Sequence, residues 1–290
     1  MNLMKHHFNM RTYYSFMAMV LTVMLLASCE SFMPQRGVTV KFEIGEPETK
    51  AVTTDIADHA TKLNVMLFDV EGNKVLSKVI SQTNDNAEFG NVHIDVEDGE
   101  YILVGVAHSS PTNATITSPS KVSFTLKDGY KITDTYTCCS PITIIDGEDP
   151  EGETLIRKSA MVRFIFLDTE VPSEVVKFRF KYTGGSATIN PGGTGYTKST
   201  QTETRVKNAQ GKYDIYTFPY MSTTGKLQVT IEALDSQDNT LRTRVINDVF
   251  VETNFMTEVS GYYFSGGNST ENTYTFGLDP EWAGVHTITF

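Results

Sequence analysis

Alternation of apolar and polar residues is the dominant pattern along this chain. In residues 38–44, and again in residues 226–233, every second side chain is apolar. Successive side chains of a strand point to opposite faces of a sheet, so a period of two predicts a strand with one buried face. The pattern predicts strands at 38–44, 63–69, 74–80, 92–96, 101–107, 121–126, 142–145, 161–167, 176–182, 213–218, 226–233, 242–251, 258–264, 274–276 and 285–290.

These short strands, separated by turn residues, predict an all-β protein, most simply two antiparallel sandwiches. Hairpin turns are predicted at 70–73 and at 97–100, where Asp98-Gly99 is the stronger signal. The glycine-rich segment 184–195 predicts a loop, and only 51–62 offers a short helix. The acidic stretch 146–153 contains proline and glycine but no apolar residue. It indicates either a domain boundary or a long exposed hairpin tip.

The residues before the first strand follow a different pattern. The only full charges in residues 1–28 are Lys5 and Arg11, and an apolar run follows them from near Phe16. A basic start, an apolar stretch too short to span a bilayer comfortably, and small residues at its end predict a secretory signal. The segment ends in Leu26-Ala27-Ser28-Cys29, which resembles the lipobox of bacterial lipoproteins.

The lipobox resemblance implies cleavage between Ser28 and Cys29 and lipidation of Cys29 through a thioether, with fatty acyl chains such as palmitate. Residues 1–28 are then a lipoprotein signal peptide, and 29–37, which have no period, are a lipidated tether. Two or three acyl chains hold a protein firmly to a membrane, whereas a single myristoyl chain binds only marginally. An ordinary secretory signal with an unrelated cysteine and an uncleaved anchor helix are the alternatives.

The charge of the chain restricts its partners. The formal net charge is −11, and removal of residues 1–28 makes the mature chain two units more negative. An acidic surface repels nucleic acid and anionic lipid headgroups, so we expect no nucleic-acid partner and membrane contact only through the Cys29 lipid. The hydrophobic content of 40% is sufficient for a packed core.

Apart from Cys29, the cysteines are the adjacent pair Cys138 and Cys139. Neighbouring Cα atoms lie about 3.8 Å apart, below the usual disulfide range, so a bond between them would be strained. A vicinal redox switch is one interpretation. We favour the other, two small apolar side chains in or beside a strand.

Residues that could carry catalysis or bind a metal do not cluster in the sequence. The mature histidines lack metal-site spacings; they are His59, His93, His108 and His286. There is no nucleophile elbow and no phosphate-binding loop. The acidic groups at 95–98 and 146–153 have no spacing that fixes a cation. We predict no enzyme activity, no metal and no cofactor. Paired catalytic carboxylates that come together only in the folded chain cannot be identified from sequence spacing.

Several stretches resemble the fimbrillin superfamily and its fimbrial anchor subunits. Residues 67–75 and 99–107 resemble parts of the first domain of these subunits. Residues 156–164 resemble the strand that opens the second domain, and 254–264 resemble a late segment of it. The resemblance implies two tandem transthyretin-like antiparallel β-sandwich domains, at 38–153 and 154–290. It also implies an outer-membrane lipoprotein, exposed at the cell surface or in the fimbrium.

The superfamily resemblance implies that fimbrial shaft and accessory subunits are the partners, bound by strand exchange. A sandwich that lacks one strand exposes an apolar groove and unpaired backbone groups, and an incoming alternating strand satisfies both. The first strand is the candidate for this exchange, and its apolar face consists of Val38, Val40, Phe42 and Ile44.

The loop after this strand contains residues that would distinguish an anchor subunit from a shaft or tip subunit. Glu48-Thr49-Lys50-Ala51 resembles the site at which shaft subunits are cut after a basic residue. Cleavage between Lys50 and Ala51 would release the lipid and the strand and make a shaft or tip subunit. Without cleavage the protein stays tethered as a fimbrial anchor or assembly subunit, which is the role we predict. The other interpretation of Lys50 is an ordinary loop lysine.

A surface lipoprotein that binds glycans or host proteins is a further alternative. Binding sites for sugars usually present exposed aromatic rings, and Trp282 is the only tryptophan of the chain. A tryptophan near a terminal strand is more often part of a sandwich core, which is the interpretation we favour.

Overall fold

The computed structural model describes residues 37–45, 53–126, 131–206, 208, 211–265, 273–279 and 282–290. They form a 3₁₀ helix, Ile56–Asp58, and twenty strands. In chain order the strands are β1 (Val38–Gly45), β2 (Thr53–Thr54), β3 (Lys62–Asp69), β4 (Ile80–Thr83), β5 (Asn91–Ile94), β6 (Gly99–His108), β7 (Thr115–Ser118), β8 (Lys121–Ser123), β9 (Thr135–Ile144), β10 (Glu153–Arg157), β11 (Ala160–Phe166), β12 (Lys177–Ser186), β13 (Thr188–Ile189), β14 (Lys198–Arg205), β15 (Tyr213–Pro219), β16 (Thr224–Leu234), β17 (Thr240–Glu252), β18 (Phe255–Gly261), β19 (Thr273–Asp279) and β20 (Trp282–Thr289).

The first sheet has the strand order β2-β1-β10-β9-β6-β3-β4, and β5 pairs with β1. One face of the sheet packs against the ribbon that β5 forms with the first half of β1. Buried side chains of this core include Leu63 and Leu67 from β3, Leu103 from β6, and Val92 and Ile94 from β5. Alternating apolar residues on each strand therefore meet in one core, as their period of two requires.

A second apolar cluster covers the opposite face of the first sheet. Met66 of β3 and Val104 of β6 pack there with Val122 of β8, and the cluster extends to Ile189 and Phe218 from the second half of the chain. β13, β8 and β7 form a small sheet of their own. This double coverage explains why β3 and β6 are apolar on both faces. It also joins the two halves, and Gly37–Phe290 form one compact unit.

The second large sheet has nine strands, in the order β17-β16-β12-β15-β11-β18-β20-β19, with β14 also paired to β12. It curls over itself at a corner where the end of β12 pairs with the end of β15. Aromatic rings fill the space between its two layers. The ring centroids of Phe164 and Phe180 lie 5.0 Å apart, and those of Phe178 and Tyr213 lie 5.1 Å apart.

The prediction of an all-β chain with two sandwich-like halves is confirmed. The predicted antiparallel pairing needs a correction, because three pairs are parallel: β1 with β10, β11 with β18, and β18 with β20. Local alternation predicts that a segment is a strand. It carries no information about the direction of a partner that is distant in sequence.

Some predicted elements are wrong in extent. The strand predicted at 74–80 is reduced to a bridge at Lys74, and β4 begins only at Ile80. The loop predicted at 184–195 contains the end of β12 and all of β13. The short helix offered by 51–62 is limited to the 3₁₀ turn. The hairpin predicted around Asp98-Gly99 does not form, because β5 pairs with β1 whereas β6 pairs with β3 and β9.

The alternation pattern missed β14, whose sequence contains no apolar residue. Its inward side chains, Gln201 and Glu203, are buried beside those of the neighbouring strand β12. The hydroxyl of Tyr182 lies 2.9 Å from Gln201 Oε1 and 2.7 Å from Glu203 Oε1, so a polar face is buried through hydrogen bonds. Burial raises the pKa of the Glu203 carboxyl.

The passage between the sheets lies a few residues beyond the predicted division at 153. Residues Glu153–Arg157 form β10 in the first sheet, and the second sheet begins with β11 at Ala160. The separation into domains at 38–153 and 154–290 stays a prediction, since the described residues form one compact unit.

Candidate functional site

The apolar face of the first strand, β1, is buried in the first core. Val38 and Val40 are 0% exposed, and Phe42 and Ile44 are 2% and 5% exposed. Full burial of such side chains contributes on the order of 1.5–3 kcal/mol each relative to exposure. The four residues thus act as one apolar face, and β1 supplies a substantial part of the core.

β1 pairs with three strands: β5 and β10 divide its length, and β2 pairs antiparallel with its end, at Ile44 and Gly45. Val38–Lys41 pairs antiparallel with β5, and Phe42–Gly45 pairs parallel with β10. At the junction the Phe42 N–H donates to the Gly90 carbonyl at 2.8 Å. Removal of β1 would therefore leave an apolar groove with unpaired backbone groups on β5 and β10. We call this space the β1 groove.

A glycine of β6 makes room for the largest side chain of β1. A Cβ atom at Gly105 would lie 2.6 Å from Cε1 of Phe42 and 2.9 Å from Sγ of Cys138. Glycine inside a strand often marks such a close approach. The floor of the β1 groove is therefore shaped for an aromatic ring at this position.

A buried arginine connects the wall of the β1 groove to the second sheet. Arg157 ends β10, and its Nε donates to both carboxylate oxygens of Asp134 at 3.1 Å. Its Nη1 donates to Asn254 Oδ1 at 3.2 Å, and its guanidinium carbon lies 4.1 Å from the ring centroid of Trp282. Because Asn254 precedes β18 and Trp282 begins β20, this one side chain fixes β10 to the C-terminal strands.

The same residues lie beside a cleft of about 770 Å³ between the two halves. Ile44 and Gly45 at the end of β1 line it, together with Arg157 and Trp282. The cleft therefore begins where β1 ends.

A histidine is buried at the end of β6. Its Nε2 lies 2.9 Å from Asn64 Oδ1, and its Nδ1 accepts the N–H of Ser110 at 3.0 Å. This pattern fits the neutral Nε2-H tautomer of His108. Burial, with a further contribution from the charge of Lys62, lowers the pKa of His108 to about 3. The residue therefore acts as a neutral structural bridge and not as a proton carrier near neutral pH.

A family profile covers nearly the whole chain. The profile described as fimbrillin-A associated anchor proteins Mfa1 and Mfa2 matches residues 26–287. This chain belongs to that anchor family. Membership associates it with fimbriae at the cell envelope and with adhesion, and implies interaction with other fimbrial proteins.

Solved structures similar to this anchor-family chain include the fimbrial anchor protein Mfa2 from Porphyromonas gingivalis. That match has 14% identity and a TM-score of 0.42, and covers 72% of this chain and 81% of the other. A fimbrial assembly protein from Parabacteroides distasonis matches with 12% identity and a TM-score of 0.41, over 82% of this chain and 94% of the other. No curated protein matches the sequence.

The residues predicted for lipidation and cleavage lie outside the described part of the anchor-family chain. These are Ser28, Cys29, Lys50 and Ala51. Their roles stay predictions. Across the described residues, no helix has the length and apolarity that crossing a bilayer requires.

Among its described residues, this family member has no grouping of side chains suited to bind a metal ion. In the part of the chain that is described, no three His, Cys, Asp or Glu side chains are grouped so as to hold a metal ion. Cys138 is buried in the first core, whereas Cys139 packs against the cluster on the opposite face. Adjacent strand residues point to opposite faces, so their thiols point apart. Burial raises the pKa of the Cys138 thiol.

Trp282 is a core residue, since it is 8% exposed and packs with Met161, Met256 and Val285. Two features beside the β1 groove were not found from the sequence of this family member. Arg157 begins the short polar run Arg157-Lys158-Ser159, whose charges give no sign of burial. Gly105 looks like any small residue of a strand. A glycine within an otherwise apolar run is the signal that could have revealed the close approach of Phe42.

Proposed function

We propose that this chain is an outer-membrane lipoprotein that acts, without enzymatic activity, as a fimbrial anchor or assembly subunit. It engages fimbrial shaft and accessory subunits by β-strand addition at the β1 groove. The observation that carries this proposal is the position of β1. A strand from the start of the mature chain supplies four buried side chains to a core built otherwise by later strands.

Strand addition follows from the chemistry of the β1 groove. A groove of this kind offers main-chain hydrogen-bonding groups for affinity and pockets for alternate side chains for specificity. A ligand strand needs apolar residues at the positions of Val38, Val40, Phe42 and Ile44. The space over Gly105 favours an aromatic residue at the third of these positions.

The proposed lipid attachment site is close to this strand in sequence. Cys29 precedes Val38 by nine residues, which span about 30 Å at most when fully extended. A lipidated Cys29 would therefore hold β1 near the membrane surface. In the anchor role β1 occupies its own groove, and a strand from a fimbrial subunit binds there by replacing β1.

A matured shaft or tip subunit is the second candidate, because cleavage after Lys50 would separate β1 from the rest of the chain. The groove would then be open to a strand from another subunit. Binding of glycans or host proteins has weaker support, since the single tryptophan is buried.

Membrane fractionation tests the anchor role. If the protein is an anchor, a Cys29→Ser variant should no longer be found in the outer membrane.

A protease-cut variant tests strand addition directly. The recognition sequence of a site-specific protease replaces residues 46–52, and the purified protein is cut and incubated with a fluorescent peptide of sequence 38–45. We expect the peptide to enter the β1 groove and be retained during size exclusion. A peptide with Phe42→Asp is the matched control and should not be retained. Equal retention of both peptides, or of neither, would overturn strand addition.

A further inference from the structure

The two halves of β1 differ in what lies on their β10 side. β10 begins at Glu153, which is the partner of Phe42. Within the described residues, no strand pairs with Val38–Lys41 on this side. The space is taken by the acidic loop, which we define as residues 145–152. At its end, a Cβ on Gly152 would lie 3.4 Å from the Lys41 carbonyl oxygen.

One side chain of the acidic loop replaces the missing strand. The N–H of Thr39 donates to Asp149 Oδ1 at 2.6 Å. Successive N–H groups of a strand alternate between its two sides, and the Phe42 N–H points to the β5 side, where it donates to Gly90. The Thr39 N–H therefore points to the other side, where a neighbouring strand would otherwise accept it. The Asp149 carboxylate makes this bond instead.

The acidic loop is itself held in place. The N–H groups of Asp146 and Gly147 donate to the two oxygens of Asp98, at 2.9 and 3.2 Å. Both donors have left-handed backbone conformations, with φ of 56° and 66°. Two successive N–H groups in such a turn form a concave anion site, here filled by a carboxylate of the same chain. Asp149 is thus presented to β1 from a loop that is fixed at its base.

We infer that Asp149 is a positioning residue that retains the first half of β1 and selects the strand that can occupy the groove. The inference rests on the proposed function. A bond from a backbone N–H to a carboxylate is stronger than one between neutral groups. It resists departure of β1 from its N-terminal end, which is the end nearest the tether.

The bond also defines the partner strand chemically. A strand that replaces β1 must present a backbone N–H at the position of Thr39, which excludes proline there. Asp149 places its carboxylate at this position, in a loop whose sequence is acidic. A partner strand with lysine or arginine among its outward residues is therefore favoured over an acidic one. In β1 the outward residues are Thr39, Lys41 and Glu43, and Lys41 pairs with Glu43 of the same strand.

Amide hydrogen exchange of the intact chain tests retention. In the Asp149→Ala variant we expect the amide of Thr39 to exchange roughly tenfold faster, because a bond to a charged acceptor is lost. The amides of Phe42–Gly45, which pair with β10, should change much less. Glu151→Ala is the matched control, since within the described residues the Glu151 side chain makes no hydrogen bond or ion pair. Asp149→Asn keeps an acceptor oxygen and should give an intermediate increase.

The protease-cut protein tests selection. A labelled 38–45 peptide with Thr39→Pro should dissociate roughly tenfold faster than one with Thr39→Val, and the Asp149→Ala variant should remove this difference. Unchanged exchange at Thr39 in Asp149→Ala would overturn the inference, whatever the peptides do. Faster exchange at Thr39, together with no entry of any peptide, would overturn strand addition and leave Asp149 as a retaining residue only.

Discussion

The β1 groove and the second sandwich solve the same packing problem in different ways. In the second sandwich, the two layers belong to one continuous curled sheet, and its aromatic core comes from strands that follow one another within residues 160–290. In the first core, β1 is divided between β5 and β10 and is held at one end by a loop carboxylate. In the proposed mechanism, a partner strand replaces β1 as a unit. In the second sandwich, by contrast, the core strands β11 and β12 are paired on both sides within one sheet.

The largest expected effect comes from shortening one aromatic side chain in each region. Phe42→Ala and Phe180→Ala both empty a fully buried site and should each cost about 3–5 kcal/mol of unfolding free energy. They should differ in where the structure opens. Hydrogen exchange should rise over 38–45 for Phe42→Ala, and across β11, β12 and β16 for Phe180→Ala. Faster exchange in the second sheet of the Phe42→Ala variant would contradict the idea that β1 opens separately from the second sandwich.

Acid should destabilise the packing around His108 in the first region. The pKa of His108 is about 3 in the folded chain and about 6.5 when unfolded, so below pH 6.5 the unfolded chain binds the extra proton. This contribution to stability is complete above pH 6.5 and is lost by about 1.4 kcal/mol for each pH unit down to about pH 3.

Chemical unfolding between pH 7 and pH 4 measures this loss. A His108→Gln variant, which has no titrating imidazole at this position, should show a smaller dependence on pH over the same range. An identical slope in the two proteins would show that the buried histidine is not responsible.

A smaller effect is expected from adding one methyl group to a glycine. Gly105→Ala places a Cβ 2.6 Å from the Phe42 ring and should cost about 1–3 kcal/mol, with faster hydrogen exchange in β1. Gly225→Ala in β16 is the matched control, because its Cβ would meet no atom closer than 3.6 Å. It should leave stability within about 0.5 kcal/mol of the original. Equal cost at the two positions would show that the β1 groove is not tightly fitted.

The alternation of apolar residues correctly predicted the all-β class and the buried face of β1, because burial on one face imposes a period of two. The pattern failed where the buried side chains are polar. β14 buries Gln201 and Glu203 against Tyr182, so its sequence resembles that of a loop. It also failed where partners are distant. The parallel pairing of β1 with β10, and the contact of Thr39 with Asp149, join residues more than 100 positions apart.

The central claim is that the mature, lipid-anchored chain keeps β1, in a groove where a partner strand can replace it. The intact mass of the protein, extracted from outer membranes of cells that produce it, tests this claim most directly. We predict a single chain that begins at acylated Cys29 and includes residues 38–45. A chain that begins at Ala51 and carries no lipid would contradict the claim and identify the protein as a matured shaft or tip subunit.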